Sequence, residues 1–264
     1  MTSTKTIPVA GYGTVEVTVT EKGEGRPILL LHGGGGPLTV VGFADLLAAQ
    51  KPVRVVTPTH PGFGGTPRPD SLASVPGLAA LYIALVAELG MRDVTVIGNS
   101  IGGWIAAEMA LLDTSRISSF VLVDAVGIEV PGHPIADFFS LSPRQVAEIS
   151  YHDPDQFGID PSKLSPEAMK GMAGNRETLA VYAGKSMNDA GLAERLAAVT
   201  TPTLVVWGDS DHVADVDYGR AFADAIPGAR FQLMRDSGHL PQIETPGQLL
   251  DAVWAFAEHQ ALPH

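Results

Sequence analysis

The stretch Val94-Thr-Val-Ile-Gly98-Asn-Ser100-Ile-Gly102-Gly103-Trp104 places the pattern Gly-x-Ser-x-Gly between a short apolar run and a segment of helical spacing. A serine on a sharp turn from a buried strand into a helix exposes its hydroxyl above the edge of a sheet. Glycines flank such a serine because strand and helix approach too closely there for a Cβ atom. The stretch therefore predicts an α/β protein with Ser100 as a nucleophile.

Short runs of this kind recur along the chain, as expected for strands buried on both faces of a sheet. The expected strands lie at 7–9, 14–20, 28–31, 53–56, 94–97, 120–123, 204–207 and 230–234. The segments of helical spacing lie at 40–50, 78–89, 101–112, 218–225 and 248–259. Alternation of strands and helices predicts an α/β fold, a mostly parallel eight-stranded sheet with helices on both faces.

One segment, residues 126–189, interrupts the alternation. It has no buried-strand run but contains aromatic residues, several prolines and helical spacing at 142–150, 165–172 and 176–183. Roughly sixty residues is far longer than an ordinary connection between parallel strands. We therefore expect one α/β core, formed by residues 1–125 and 190–264, with a helical cap inserted between its two parts.

Composition and charge exclude several classes of protein. A chain that is 45% hydrophobic and 17% charged is not disordered. It has no cysteine, so it has no thiol nucleophile, disulfide or cysteine-bound cluster. The net charge of −12, with no cluster of Lys and Arg, argues against a nucleic-acid partner.

Targeting signals are also missing from the sequence. No run reaches the roughly 18–20 apolar residues of a membrane span. The first twenty residues lack the pattern of a signal peptide. We expect a cytoplasmic protein, a monomer or homodimer, that acts on a small molecule without a membrane partner.

Four consecutive glycines follow the strand at 28–31, in the stretch His32-Gly33-Gly34-Gly35-Gly36-Pro37. Acyl transfer places negative charge on a carbonyl oxygen, and fixed backbone N–H groups stabilise that charge. We expect the N–H groups of Gly34 and Ile101 to form this oxyanion hole, and Gly35 to contact substrate. His32 is expected to hydrogen-bond within the loop rather than to accept protons.

A serine hydroxyl needs a histidine base, and the base needs an acid that orients it. His239 follows the last strand, on a loop from which it can reach Ser100. Asp124, Asp209 and Asp211 each follow the C-terminal end of a strand and therefore lie at the same edge of the sheet. Position along the chain leaves all three open as the acid.

Together these motifs resemble the α/β-hydrolase fold family over essentially the whole chain. The order Ser100, Asp211, His239 matches the family's order of nucleophile, acid and histidine. The family places its acid three residues after the glycine that ends the seventh strand, which selects Asp211. The resemblance also implies that residues 126–189 are a cap domain. His60 departs from the pattern, since it stands where the family usually has an acidic residue.

Serine at position 100 sets aside the dehalogenases and epoxide hydrolases of this fold, which use aspartate. Within the remainder, the stretches 32–37 and 98–103 look like those of meta-cleavage-product hydrolases, which break carbon–carbon bonds of dienoic keto acids. The chain departs from that group at Leu240, where an aromatic residue is usual. Its one candidate for their carboxylate-binding cap arginines is Arg176.

The leading hypothesis is therefore a serine hydrolase of a small carboxylic ester or lactone. The alternatives are the carbon–carbon hydrolase, a non-catalytic ligand receptor on the same fold, and cofactor-free perhydrolysis. No metal or cofactor is expected, because metal-binding His and Glu spacings are missing near the site and no phosphate-binding Gly-Lys loop is present.

Apolar side chains of the cap favour a substrate with an apolar acyl or alcohol part. The residues expected to contact substrate, besides Gly35, are Trp104, Phe138, Phe139 and Leu240. Further cap candidates, each of which can equally pack the cap onto the core, are Tyr151, Phe157, Met169, Met172, Tyr182 and Met187.

Overall fold

Eight strands form a single sheet in the computed structural model, which describes residues 1–260. Its order is β1-β2-β4-β3-β5-β6-β7-β8. The strands are β1 Thr2–Val9, β2 Gly13–Lys22, β3 Arg26–Leu31, β4 Val53–Pro58, β5 Val94–Asn99, β6 Ile117–Val123, β7 Thr203–Gly208 and β8 Arg230–Met234. β2 runs antiparallel to β1 and β4, and all other pairs are parallel. The predicted fold class is confirmed.

Helices cover both faces of this sheet. They are α1 Leu38–Gln50, α2 Val75–Glu88, α3 Ile101–Met109, α4 Pro143–Ser150, α5 Pro154–Phe157, α6 Pro166–Ala183, α7 Leu192–Leu196, α8 Val216–Asp224, α9 Pro241–Glu244 and α10 Pro246–Ala257. Alternate side chains of β3 point to opposite faces of the sheet. Leu29 and Leu31 join one apolar cluster with α2, α3 and α8, whereas Ile28 and Leu30 join another with α1 and α10. Each strand in the middle of the sheet is therefore buried on both sides.

The N-terminal hairpin forms where alternation predicts it. Val9 pairs with Gly13 across the turn, and Gly11 and Gly13 take left-handed φ angles of 82° and 81°. The alternation buries Ile7 and Val15 while their neighbours face solvent. The glycines are needed here because other residues are strained at positive φ.

The predicted core helices are present, with ends shifted by up to three residues. α2 begins at Val75 rather than at 78, because the Ser74 side chain accepts a hydrogen bond from the Gly77 N–H and caps the helix there. The apolar periodicity that predicts this helix begins only at Leu78, one turn after the capping residue.

The prediction of two separate helices at 165–172 and 176–183 is wrong. One continuous helix, α6, spans the whole region. Gly171 and Gly174 lie inside it, in open space with nothing within 4 Å of a Cβ placed on either. Glycine weakens a helix by about 1 kcal/mol relative to alanine, which a helix anchored at one end by packing tolerates.

Residues 126–189 hold no strand, and their two ends meet. Gly127 pairs with Asn188, and the Asp189 N–H donates to the Gly127 carbonyl at 2.7 Å. Arg195 then joins Asp189 to the buried Glu108 on α3 through a bidentate ion pair. The segment thus leaves and rejoins the core at one place. The division into core and cap stays a prediction, and positions 261–264 of the expected core lie outside the described residues.

Among residues 1–260, no helix combines the length and the apolar character that crossing a bilayer requires.

Candidate active site

Ser100 lies on the turn between β5 and α3. Its φ of 57° and ψ of −121° are rare for a residue with a side chain. A Cβ at Gly98 would lie 2.1 Å from the Gly102 carbonyl oxygen, and a Cβ at Gly102 would lie 2.5 Å from the Leu31 carbonyl oxygen. Both glycines therefore occupy positions at which strand and helix leave no room for a side chain.

The backbone of Ser100 is held on both sides. Its N–H donates to the Val123 carbonyl at 3.0 Å, and its carbonyl accepts from the Trp104 N–H at 3.1 Å. Within the described residues its Oγ has no hydrogen-bond partner, so the hydroxyl remains available to a substrate and a base.

His239 and Asp211 form a buried pair, exposed to 6% and 2%. His239 Nδ1 lies 2.8 Å from Asp211 Oδ2, so the proton sits on Nδ1 and the Nε2 lone pair is free. Asp211 Oδ1 accepts from the N–H groups of Val213 and Ala214 at 2.7 and 3.2 Å. The carboxylate is thus fixed by its own loop and in turn fixes the imidazole.

The other two aspartates have different partners. Asp209 Oδ1 accepts from the Ser210 hydroxyl at 3.0 Å and the Ser237 N–H at 3.3 Å, and so braces the loop. Asp124 Oδ1 accepts from the Gly208 N–H at 2.8 Å. Burial, followed by the nearby charge of Asp211, raises the pKa of Asp124 well above its usual range. Asp211 alone of the three contacts His239.

Asp124, Asp211 and His239 are also the set of described residues with spacing suited to a metal, since one donor atom of each lies within 4.8 Å of the others. His239 Nδ1 and both Asp211 oxygens are already engaged in hydrogen bonds. That pattern favours proton transfer over metal ligation.

The glycine loop lies against Ser100. A Cβ at Gly33 would lie 3.2 Å from the Ser100 Cβ. Within residues 1–260, the N–H groups of Gly34 and Ile101 donate no hydrogen bond. Two unengaged donors on the loop and turn at Ser100 are compatible with the predicted oxyanion hole.

With this geometry in view, comparison with known proteins is decisive. Residues 28–252 match the alpha/beta hydrolase family. The chain belongs to that family.

Two relatives and one solved structure indicate the range of the family. The 2-hydroxymuconate semialdehyde hydrolase of Pseudomonas putida is 28% identical over 97% of this chain and 95% of its own length. The poly(3-hydroxyalkanoate) depolymerase of Ectopseudomonas oleovorans is 30% identical over 89% and 85%. A bacterial membrane phospholipase A superposes with a TM-score of 0.80, at 24% identity, over 98% of this chain and 86% of its own. That last likeness concerns the fold.

Two buried histidines support the glycine loop of the hydrolase. His32 Nδ1 donates to the Gly33 carbonyl, and its Nε2 accepts from the His60 N–H. His60 Nε2 donates to the His32 carbonyl, and its Nδ1 accepts from the Tyr82 hydroxyl. Burial lowers the pKa of His32 to about 4 and holds that of His60 well below its usual value. Both are neutral structural groups, as expected for His32.

Helix α6 of the hydrolase contacts the glycine loop after β3 and the loop after β4. Asn175 donates to the Gly35 carbonyl at 3.1 Å and accepts from the Gly64 N–H at 2.8 Å. One turn further, the buried Leu179 covers the glycine loop, since a Cβ at Gly34 would meet its Cδ2 at 2.7 Å. Neither Asn175 nor Leu179 is among the residues that the sequence predicts for the site. The two residues are four positions apart and therefore lie on one face of α6. The predicted helices at 165–172 and 176–183 leave Asn175 outside a helix and so conceal this relation.

The C-terminal end of α4 is hydrogen-bonded to the loop that carries His239 and to the loop that carries Asp211. Ser150 O accepts from the His239 N–H at 2.8 Å, and Ile149 O accepts from the His212 N–H at 3.0 Å. Glu244 Oε2 accepts from the Gly238 N–H at 2.6 Å, while its Oε1 accepts from the His152 N–H at 2.9 Å. The loops of the hydrolase therefore depend on residues 149–153.

Asn99, the residue before Ser100, holds the backbone of His239. Its Nδ2 donates to the His239 carbonyl at 2.9 Å, and its Oδ1 accepts from Gln242 at 3.1 Å. The Gly-Asn-Ser pattern thus has a structural reason in this hydrolase.

The residues expected to contact substrate differ in burial. Trp104 is 4% exposed, and a Cβ at Gly127 would lie 2.5 Å from its ring, so it packs as a core residue. Phe138, Phe139 and Leu240 are half-buried, whereas Gly35 is exposed. Of the further cap candidates, Tyr182 and Met187 are buried, and Met169 and Met172 are exposed. Substrate contact stays a prediction for each of them.

Proposed function

We propose that this chain is a serine hydrolase that cleaves a small carboxylic ester or lactone through an acyl-enzyme on Ser100. The observation that carries the proposal is the buried 2.8 Å contact between His239 Nδ1 and Asp211 Oδ2 at the edge of the sheet where β5 turns into α3. Such a pair leaves Nε2 as a base for the serine hydroxyl.

In the acylation step, Ser100 Oγ attacks the substrate carbonyl and passes its proton to His239 Nε2. Asp211 holds the imidazole in the required tautomer and stabilises the imidazolium that forms. The N–H groups of Gly34 and Ile101 bind the oxyanion. The tetrahedral intermediate then collapses, and the imidazolium protonates the departing alkoxide.

In the second step, water adds to the acyl carbonyl of Ser100 and gives its proton to the same nitrogen. Collapse of the second intermediate releases the carboxylic acid and returns the proton to Ser100 Oγ. We further propose that residues 126–189 act as the cap over this site. Leu179, which covers Gly34, would then limit the size of the acyl part.

Hydrolysis of p-nitrophenyl acetate and butyrate tests the proposal. We expect Ser100→Ala to lose at least about 10³-fold in kcat, because no other group can form the acyl-enzyme. A fluorophosphonate probe should label the parent protein but not this variant. Full turnover by Ser100→Ala would contradict the assignment of Ser100 as the nucleophile.

One observation favours a second candidate, the hydrolysis of a carbon–carbon bond in a dienoic keto acid. Arg176 NH2 donates to the carbonyls of Phe138 and Leu141, and its guanidinium lies 5.0 Å from the Phe138 ring centroid. Its Nε and NH1 have no hydrogen-bond partner within residues 1–260. These donors suit the carboxylate of such a substrate.

The Pseudomonas putida relative bears the name of a hydrolase that acts on a semialdehyde of this kind. Loss of the visible absorbance of a dienoate ring-cleavage product measures the reaction. A kcat/KM for the dienoate above that for esters, reduced in Arg176→Gln, would favour this candidate. No decay at micromolar enzyme would exclude it.

A further inference from the structure

Asp124 is a buried ionisable group that the proposed reaction does not use. It follows β6 with a left-handed φ of 45°, and its side chain is fully buried. The Gly208 N–H donates to Oδ1 at 2.8 Å. No donor among the described residues lies within hydrogen-bonding distance of Oδ2, which is itself buried. An ionised carboxylate with one empty, buried oxygen is strongly disfavoured.

A second carboxyl group lies beside it. One oxygen of Asp124, one oxygen of Asp211 and one ring nitrogen of His239 lie within 4.8 Å of each other. Two buried carboxyl groups at this distance do not both ionise, because each charge raises the energy of the other. One of them therefore holds a proton.

The available donors decide which one. Asp211 accepts three N–H groups, from Val213, Ala214 and His239, whereas Asp124 accepts one. Hydrogen bonds to a carboxylate stabilise its charged form, so the charge belongs on Asp211. We propose that Asp124 is a neutral carboxylic acid whose Oδ2–H donates a hydrogen bond to Asp211.

Two further observations support this assignment. Burial raises the pKa of Asp124 well above its usual range, and the charges of Asp211 and Glu244 raise it further. The titratable groups that face Asp124 are Asp211 on the loop after β7, His239 on the loop after β8, and Glu244 on α9. The negative charges of Asp211 and Glu244 both disfavour ionisation of Asp124. His239 does not offset them, because its Nδ1 is already hydrogen-bonded to Asp211.

Asp124 is then a positioning residue that acts through Asp211. Its proton fixes the orientation of the Asp211 carboxylate and withdraws charge from the oxygen that faces His239. No proton is transferred in this role. The protonation state of Asp124 does not depend on the reaction, whereas its effect on turnover rests on the proposed serine chemistry.

Infrared difference spectroscopy tests the protonation directly and needs no substrate. At pH 7 we expect the C=O stretch of a protonated carboxyl group in the parent protein, absent from Asp124→Asn, and kept in Asp209→Asn as the matched control. A parent protein without such a band at pH 7, or a band that persists in Asp124→Asn, would overturn the proposal. The first outcome can be read even if the variant fails to fold.

Kinetics test the positioning role. Asn can accept from Gly208 and donate to Asp211, whereas Ala can do neither, so we expect Asp124→Asn to retain more activity than Asp124→Ala by about tenfold or more in kcat. KM should change little. The acid limb of the kcat/KM profile should move to higher pH in Asp124→Ala, because Asp211 then holds more charge against His239.

Equal losses in Asp124→Asn and Asp124→Ala, with unmoved acid limbs, would contradict the positioning role. Retained turnover in Ser100→Ala would instead contradict the serine mechanism and leave the infrared result intact. The two failures are therefore distinguishable.

Discussion

At Ser100 the backbone adopts a left-handed conformation that costs of the order of 1–3 kcal/mol for a residue with a side chain. The cost is met by the close contact of β5 and α3, which holds the turn from both sides. Gly98 and Gly102 make that contact possible, because a Cβ on either would overlap a carbonyl oxygen. The motif is therefore a packing requirement as much as a chemical one.

Gly98→Ala should destabilise the protein by about 1–3 kcal/mol or more, since its Cβ would lie 2.1 Å from backbone that cannot move without displacing α3. Gly42→Ala is the matched control, because Gly42 lies inside α1 with nothing within 4 Å. That substitution should stabilise by about 0.5–1 kcal/mol. Urea unfolding measures both, and equal effects of the two substitutions would refute the packing account.

At the level of elements, the site is assembled by contacts between segments far apart in the chain. The end of α4 accepts hydrogen bonds from His239 and His212, and Glu244 on α9 joins the Gly238 amide to that of His152. The position of His239, the proposed base, therefore depends on a segment of the predicted cap. Movement of residues 149–153 would move His239 with it.

Glu244→Ala should lower kcat by about tenfold or more with little change in KM, because the backbone N–H groups of Gly238, His152 and Asp153 lose a charged acceptor. Glu244→Gln keeps one acceptor and should lose less. Glu148→Ala is the control, since Glu148 forms an exposed pair with Arg144, and such pairs contribute little. Ester hydrolysis at saturating substrate measures the effect, and an unchanged kcat in Glu244→Ala would argue against this coupling.

At the level of the whole molecule, two neutral histidines lie buried under the glycine loop. The pKa of His32 is about 4 in the folded protein and about 6.5 in the unfolded chain. Between these values the unfolded chain binds more protons, so stability rises with pH. The contribution is complete above pH 6.5 and is lost as the pH falls toward 4. His60 acts in the same direction.

We expect the free energy of unfolding to fall by about 3 kcal/mol from His32 alone between pH 6.5 and 4. Urea unfolding at several pH values measures the slope. His32→Asn should flatten it, whereas His259→Asn, at an exposed position, should not. Identical slopes in the parent protein and in His32→Asn would show that the buried histidine is not responsible.

Local patterns in the chain were enough to predict several features correctly. The runs at 28–31 and 94–97 predict buried strands, because a strand covered on both faces must be apolar at every position. The turn at Ser100 follows from the flanking glycines. Helix ends and the continuity of α6 did not follow, because a side-chain cap and end-anchored packing outweigh local periodicity.

The sequence by itself determined the sheet, the succession of strands and helices along the chain and the turn at Ser100, since these depend on periodicity and on residues close together in the chain. Position along the chain leaves Asp124, Asp209 and Asp211 open as partners of His239, and the family resemblance favours Asp211. The tertiary structure shows that Asp211 is the one hydrogen-bonded to His239, and it alone places Leu179 and Asn175 over the glycine loop. Those contacts join residues far apart in the chain, and their distances depend on how the sheet and its helices pack. The periodicity of apolar residues along the chain carries no information about those distances.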